Sequence, residues 1–178
     1  DQRYAFQTCY GISERSIAAV MSLHGDDRGL VLPPEVAPVQ AAIVPIIVGK
    51  RKGEVLGASH ELEKDLVSAG YRVEVDDRGI RPGAKYYHWE MRGVPLRIEI
   101  GPRDLDRGVV TLATRLGEKR EAPRDALAAT LAGALAGLSR ILLEKATLSM
   151  RNRISAPAGG KDEHRQNRHN HARARRPG

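Results

Sequence analysis

The apolar positions of this chain switch period several times. Residues 40–48 (QAAIVPIIV) form a continuous apolar run, which predicts a strand buried on both faces. Its Pro45 predicts an edge position or a bulge. Val94, Leu96, Ile98 and Ile100 alternate with Pro95, Arg97 and Glu99, the pattern of a strand with one buried face, so Arg97 and Glu99 are expected to point outward. Tyr71, Val73 and Val75 alternate in the same way, and residues 109–114 read as another strand. Between these runs the period becomes helical. Residues 59–69 place Leu62, Leu66 and Ala69 inward, with Gly70 as a stop. Residues 82–92 start with Pro82 in a first helical turn. Residues 124–148 line up Leu127, Leu131, Leu135, Leu138 and Leu142 on one face. Strands alternating with helices predict an α/β domain with a mixed sheet.

The N-terminal stretch reads differently. Residues 4–10 suit a strand, and a helix follows from Ser13, a candidate N-cap, to Gly25, with Ile17, Val20 and Met21 as its apolar face. The short run LVL at 30–32 is strand-like. Pro33, Pro34 and Pro38 then stiffen the chain, which places a domain boundary near residue 36. From Ser155 there is no apolar periodicity, so residues 151–178 are expected to form a disordered basic tail.

Charge follows this division. Of the net +7, residues 151–178 carry +6, leaving +1 for residues 1–150. A body that binds an anion must therefore do so with a local patch, since overall charge supplies no field. The single cysteine, Cys9, cannot form an internal disulfide, which agrees with a reducing, cytoplasmic setting. No run is expected to span a bilayer, because Gly133, Gly137, Ser139 and Arg140 interrupt the most apolar helix. No metal site is expected: the tail histidines His164, His169 and His171 match no ligand spacing.

One stretch concentrates the candidate chemistry. Aromatics make up 4% of the chain, yet Tyr86, Tyr87 and the only tryptophan, Trp89, fall together, followed by Glu90, Arg97, Arg103 and Asp104. Tyr86 and Glu90 share one side of a helix. An aromatic face, carboxylates and guanidiniums on one surface suit an unstacked base, with carboxylates accepting from guanine N–H groups and Arg donating to its O6 and N7. The alternative is a solvated strand face with structural ion pairs and Trp89 in the core. Gly11-Ile12-Ser13-Glu14-Arg15 reads as a turn into a helix whose N-terminus can hold an anion, or as an ordinary helix start. His24-Gly25-Asp26-Asp27-Arg28 reads as an acid–base cluster or as a polar loop.

Two segments go beyond pattern. QTCYGISERSIAAVMSLHGDDRGLVLPPEVAPVQAAIVPI resembles motif 3 of prolyl-tRNA synthetases of the archaeal/eukaryotic type, running into their anticodon-binding domain. RPGAKYYHWEMRGVPLRIEIGPRDL resembles the most distinctive segment of that domain. The resemblance covers residues 1 to about 150. It implies the end of a class II antiparallel catalytic domain (1–36), a mixed-sheet α/β anticodon-binding domain with flanking helices (37–150) and a tail (151–178) that fits no part of the family. The family joins proline to tRNA(Pro) through a prolyl-adenylate, using ATP and Mg²⁺, as a cytoplasmic homodimer. By resemblance, Arg15 stacks on adenine and Ser13 contacts ATP. Tyr86, Glu90, Arg97, Arg103, Asp104 and Lys119 match positions that read the two guanines of proline anticodons. Cys9-Tyr10, Glu14, Ala84 and His88 depart from the usual residues, and Arg103 stands where some members carry Lys. Motifs 1 and 2 and the family's zinc-binding-like C-terminal domain are not within these residues, so zinc stays open. A stand-alone tRNA-binding module without catalysis is the second reading, and a related threonine, histidine or glycine synthetase the third.

Overall fold

In the computed structural model, which describes residues 7–154, five strands form one sheet in the order β2-β1-β3-β4-β5. They are β1 (Ala41–Pro45), β2 (Val73–Val75), β3 (Leu96–Ile100), β4 (Val109–Thr114) and β5 (Lys119–Pro123). β1 pairs parallel with β2 and β3, while β4 runs antiparallel to both β3 and β5. The helices are α1 (Arg15–His24), α2 (Lys52–Ser68), α3 (Pro82–Met91), α4 (Pro102–Arg107) and α5 (Leu127–Arg153). The mixed α/β sheet expected from the alternation is present.

Both faces of the sheet are covered. Ile43, Leu96, Ile98, Ile100, Val110 and Leu112 pack with Val55, Leu62 and Leu66 of α2 and with Leu127, Leu131 and Leu135 of α5. On the opposite face Ala42 and Val44 pack under Trp89 of α3 and Val94, with Tyr86 beside them. Trp89 donates its indole N–H to the buried Asp76 carboxylate at 2.9 Å, and the buried Lys85 ammonium donates to the Asp76 carbonyl at 2.7 Å. α3 is therefore tied down by polar bonds under cover as well as by apolar area. Burial pushes the Asp76 carboxyl up, but the hydrogen bonds from Arg78 and Trp89 and the nearby positive charges outweigh it and leave it lowered.

Several sequence expectations change. Pro45 is neither at an edge nor in a bulge: β1 is an inner strand. Ile46 donates to Ile100 of β3, so the Pro45 nitrogen faces the β2 side, where β2 has already ended at Val75. α2 begins at Lys52, before residue 59, and Ala69 is exposed beyond its end. Neither α4 nor β5 was foreseen. Glu99 is buried rather than outward, because α3 covers that face. Residues 7–10 form no strand and are exposed, without a sheet neighbour among the described residues. The apolar face of α1 is open, with Ile17 and Met21 exposed, and Ser13 makes no side-chain cap. Residues 30–32 form no strand, but Leu30 and Leu32 donate to the carbonyls of Met91 and Gly93. α5 is long and apolar enough by composition to cross a membrane, despite its glycines and Arg140; five leucines on one face are buried in the protein interior. The part of α5 from Thr147 onward belongs to a second unit. Residues 151–153, expected to open the disordered tail, continue α5, and from residue 155 the expected tail lies outside the described residues.

Candidate nucleic-acid interface

The register of the sheet builds the first half of the site. Arg97 sits between Ala42 of β1 and Ala113 of β4, and Ala113 is paired in turn with Lys119 of β5. Two alanines beside a long side chain leave it room to lie along the sheet. Glu99 follows two residues later on the same face. Arg97 donates Nε and Nη2 to one Glu99 oxygen at 3.0 and 2.9 Å, and Lys119 Nζ donates to that oxygen at 3.2 Å. The Arg97 guanidinium lies 3.9 Å from the centre of the Tyr86 ring, and the Lys119 ammonium 5.9 Å from it. That is cation–π distance for both. Burial pushes the Tyr86 hydroxyl up to about 12, and the adjacent Glu99 carboxylate adds to the rise against the opposing Arg97 charge.

Glu90 belongs to a second cluster. It accepts from Arg28 at 2.7 Å, and Arg115 lies 3.9 Å from it. The Arg115 side chain, 1% exposed, makes a two-toothed bond to Asp26 at 2.6 and 3.0 Å and donates Nε to the carbonyls of Leu30 and Glu90. The hydrogen bond from Arg115 holds the Asp26 carboxyl down at about 2. His24 stays out of this network: it is buried, and its Nδ1 has no hydrogen-bond partner among the described residues. The polar-loop reading of residues 24–28 thus describes them better than a catalytic acid–base cluster. Two glycines allow the chains to meet here. Gly29 (φ +125°) would bring a Cβ within 2.6 Å of the Met91 carbonyl, and Gly93 (φ +72°) within 2.6 Å of Leu30. Glu90 and Arg97 line the same narrow cleft, with Trp89, Thr114 and Arg115, and this joins the clusters.

The remaining expected residues lie apart. Asp104 accepts from the Gly101 backbone N–H at 2.8 Å, steadying the turn into α4. Exposed Arg103 shares a hollow with Asp104, Ile46 and Val48. Ser13 and Arg15 are exposed, and neither side chain has a hydrogen bond or ion pair among the described residues. Sequence reasoning missed Glu99 and Arg115 as site residues, and it read Asp26 and Arg28 only as members of a separate acid–base cluster or polar loop. Glu99 could have been found from its two-residue spacing to Arg97. Asp26 and Arg115 are 89 residues apart, and no local pattern joins them.

A family model described as "Anticodon binding domain" matches residues 40–133. Proline–tRNA ligase of Methanoculleus marisnigri is 56% identical over 156 residues, covering 88% of this chain and 33% of the relative. The proline–tRNA ligase of Methanosarcina mazei is 54% identical over 155 residues (86% and 32%), and that of Methanoregula boonei 63% identical over 119 residues (67% and 25%). The chain spans about a third of the length of the first of these relatives.

Proposed function

Since the chain belongs to the anticodon-binding domain family, we propose that it is the tRNA-reading part of a proline–tRNA ligase, and that its task is to recognise the two guanines of proline anticodons. The observation that carries this reading is the gathering of the Arg97 guanidinium and the Lys119 ammonium around the Tyr86 ring, with Arg97 sharing a narrow cleft with Glu90. Arg97 donates Nε and Nη2 inward, and Nη1 has no bond among the described residues, so it is available to guanine O6 or N7. Glu90 offers a carboxylate to the N1–H and N2–H₂ edge once Arg28 turns aside. That exchange costs little, because the Arg28 side chain is 51% exposed and exposed pairs are weak. Arg103 and Asp104 extend the surface along the start of α4.

The division into residues 1–36, 37–150 and 151–178 belongs to the same proposal. In the whole enzyme, proline and ATP with Mg²⁺ would be the other substrates, Ser13 and Arg15 would serve ATP, and the enzyme would be a cytoplasmic dimer. Ser13 and Arg15 are exposed, and neither side chain has a hydrogen-bond or ion-pair partner among the described residues.

The test is binding of the 178-residue chain to anticodon stem-loops with GG or AA at the last two anticodon positions, at two salt concentrations. The basic tail adds salt-sensitive affinity to both RNAs alike. A preference for GG of about tenfold or more is expected. Equal affinity for GG and AA would refute the reading.

A further inference from the structure

Glu99 is a buried carboxylate at the meeting point of three groups proposed to face RNA, and no role has so far been given to it. One of its oxygens takes Nε and Nη2 of Arg97 and Nζ of Lys119, all within 3.2 Å. Arg97 is thereby held by one edge of its plane, with that plane over the Tyr86 ring. We infer that Glu99 is the positioning residue of the guanine reader: it fixes the Arg97 guanidinium and the Lys119 ammonium around Tyr86, and it limits their attraction for phosphate. The inference rests on the guanine-reading function proposed above.

The physics gives two effects of opposite sign. Arg97, Lys119 and Glu99 together carry one net positive charge; without the carboxylate they carry two. The carboxylate accepts three charge-assisted bonds, which are directional and strong relative to neutral ones. An amide in its place keeps the shape and one accepting oxygen but loses the charge, so its hold on both cations weakens. Base reading, which needs a fixed donor plane, then weakens, while sequence-blind attraction to the RNA backbone grows. A residue that merely supported the fold would weaken both.

Glu99→Gln in the full chain is the experiment, read with the GG and AA stem-loops. Affinity for GG is expected to fall about tenfold, while affinity for AA stays level or rises. Tyrosine-selective NMR adds a second readout: the Tyr86 hydroxyl, raised chiefly by burial and further by the Glu99 charge, should titrate lower once that charge is removed. Arg97→Lys supplies an independent arm, since it keeps the charge but cannot be gripped along one edge; it should lose discrimination without changing the salt dependence. Retained GG preference in either variant overturns the inference, as does an equal loss on both RNAs. A parent chain with no GG preference would instead sink the functional reading itself, so the two failures are distinguishable.

Discussion

Arg15 and Arg115 stand in segments that differ less in sequence character than in what surrounds them. Arg15 opens α1 in the motif-3-like stretch, where Tyr10, Ile12 and Ile17 are also exposed and nothing among the described residues grips the guanidinium. Arg115 follows β4, and its buried guanidinium is met by Asp26, Leu30 and Glu90. A motif can thus be legible in sequence while the described residues build no site around it, and a side chain with no motif can hold a site together. The first region carries resemblance, whereas the second carries geometry.

The sharpest way to break this contrast is Arg115→Ala. It leaves two carbonyls and a carboxylate without their donor and is expected to cost about 3 kcal/mol, the lower end for breaking a buried pair because Asp26 is partly exposed. Denaturant unfolding measures it, and a loss under about 1 kcal/mol would mean that water replaces the guanidinium. A pH series sharpens the same point. The Asp26 carboxyl is lowered to about 2, so its contribution is complete above about pH 4 and disappears as the pH falls towards 2. Asp26→Asn should flatten the stability profile over that acid range; an unchanged profile would show that other carboxylates set it. The smallest effect is expected from Arg15→Ala, within about 0.5 kcal/mol in stability and with no change in stem-loop binding. A larger change would give Arg15 a role within this chain that its exposure argues against.

How much of this was legible follows from what each residue depends on. The five buried leucines of α5, the bounds of β4 and the start of α3 at Pro82 depend on local period and turn chemistry, and they emerge from the sequence directly. β5 does not, because KREAP is charged and mostly exposed and has neither apolar alternation nor β-branched residues. Glu99 was misplaced because alternation gives the two faces of a strand but not what covers the second. Only the return of α3 over Ala42 and Val44 encloses it. Of the residues expected to face RNA, all but Lys119 stood out as an aromatic and charged stretch, and the resemblance added Lys119 and the guanine-reading role. The packing divides them between the Tyr86–Arg97–Lys119 group, the Glu90 group and the start of α4, a partition that spacing along the chain does not contain.

The polar character of β5 has a consequence for crowded solution. It is a sheet edge, and the strand at the other edge, β2, is only three residues long. Open edges invite pairing with another chain. β5 exposes Lys119, Arg120 and Glu121 and ends in Pro123, so a second copy docking there would meet charge and a missing donor. The hairpin that brings Lys119 to Tyr86 therefore also discourages self-association, and a variant with Val or Thr along β5 would be the one to aggregate.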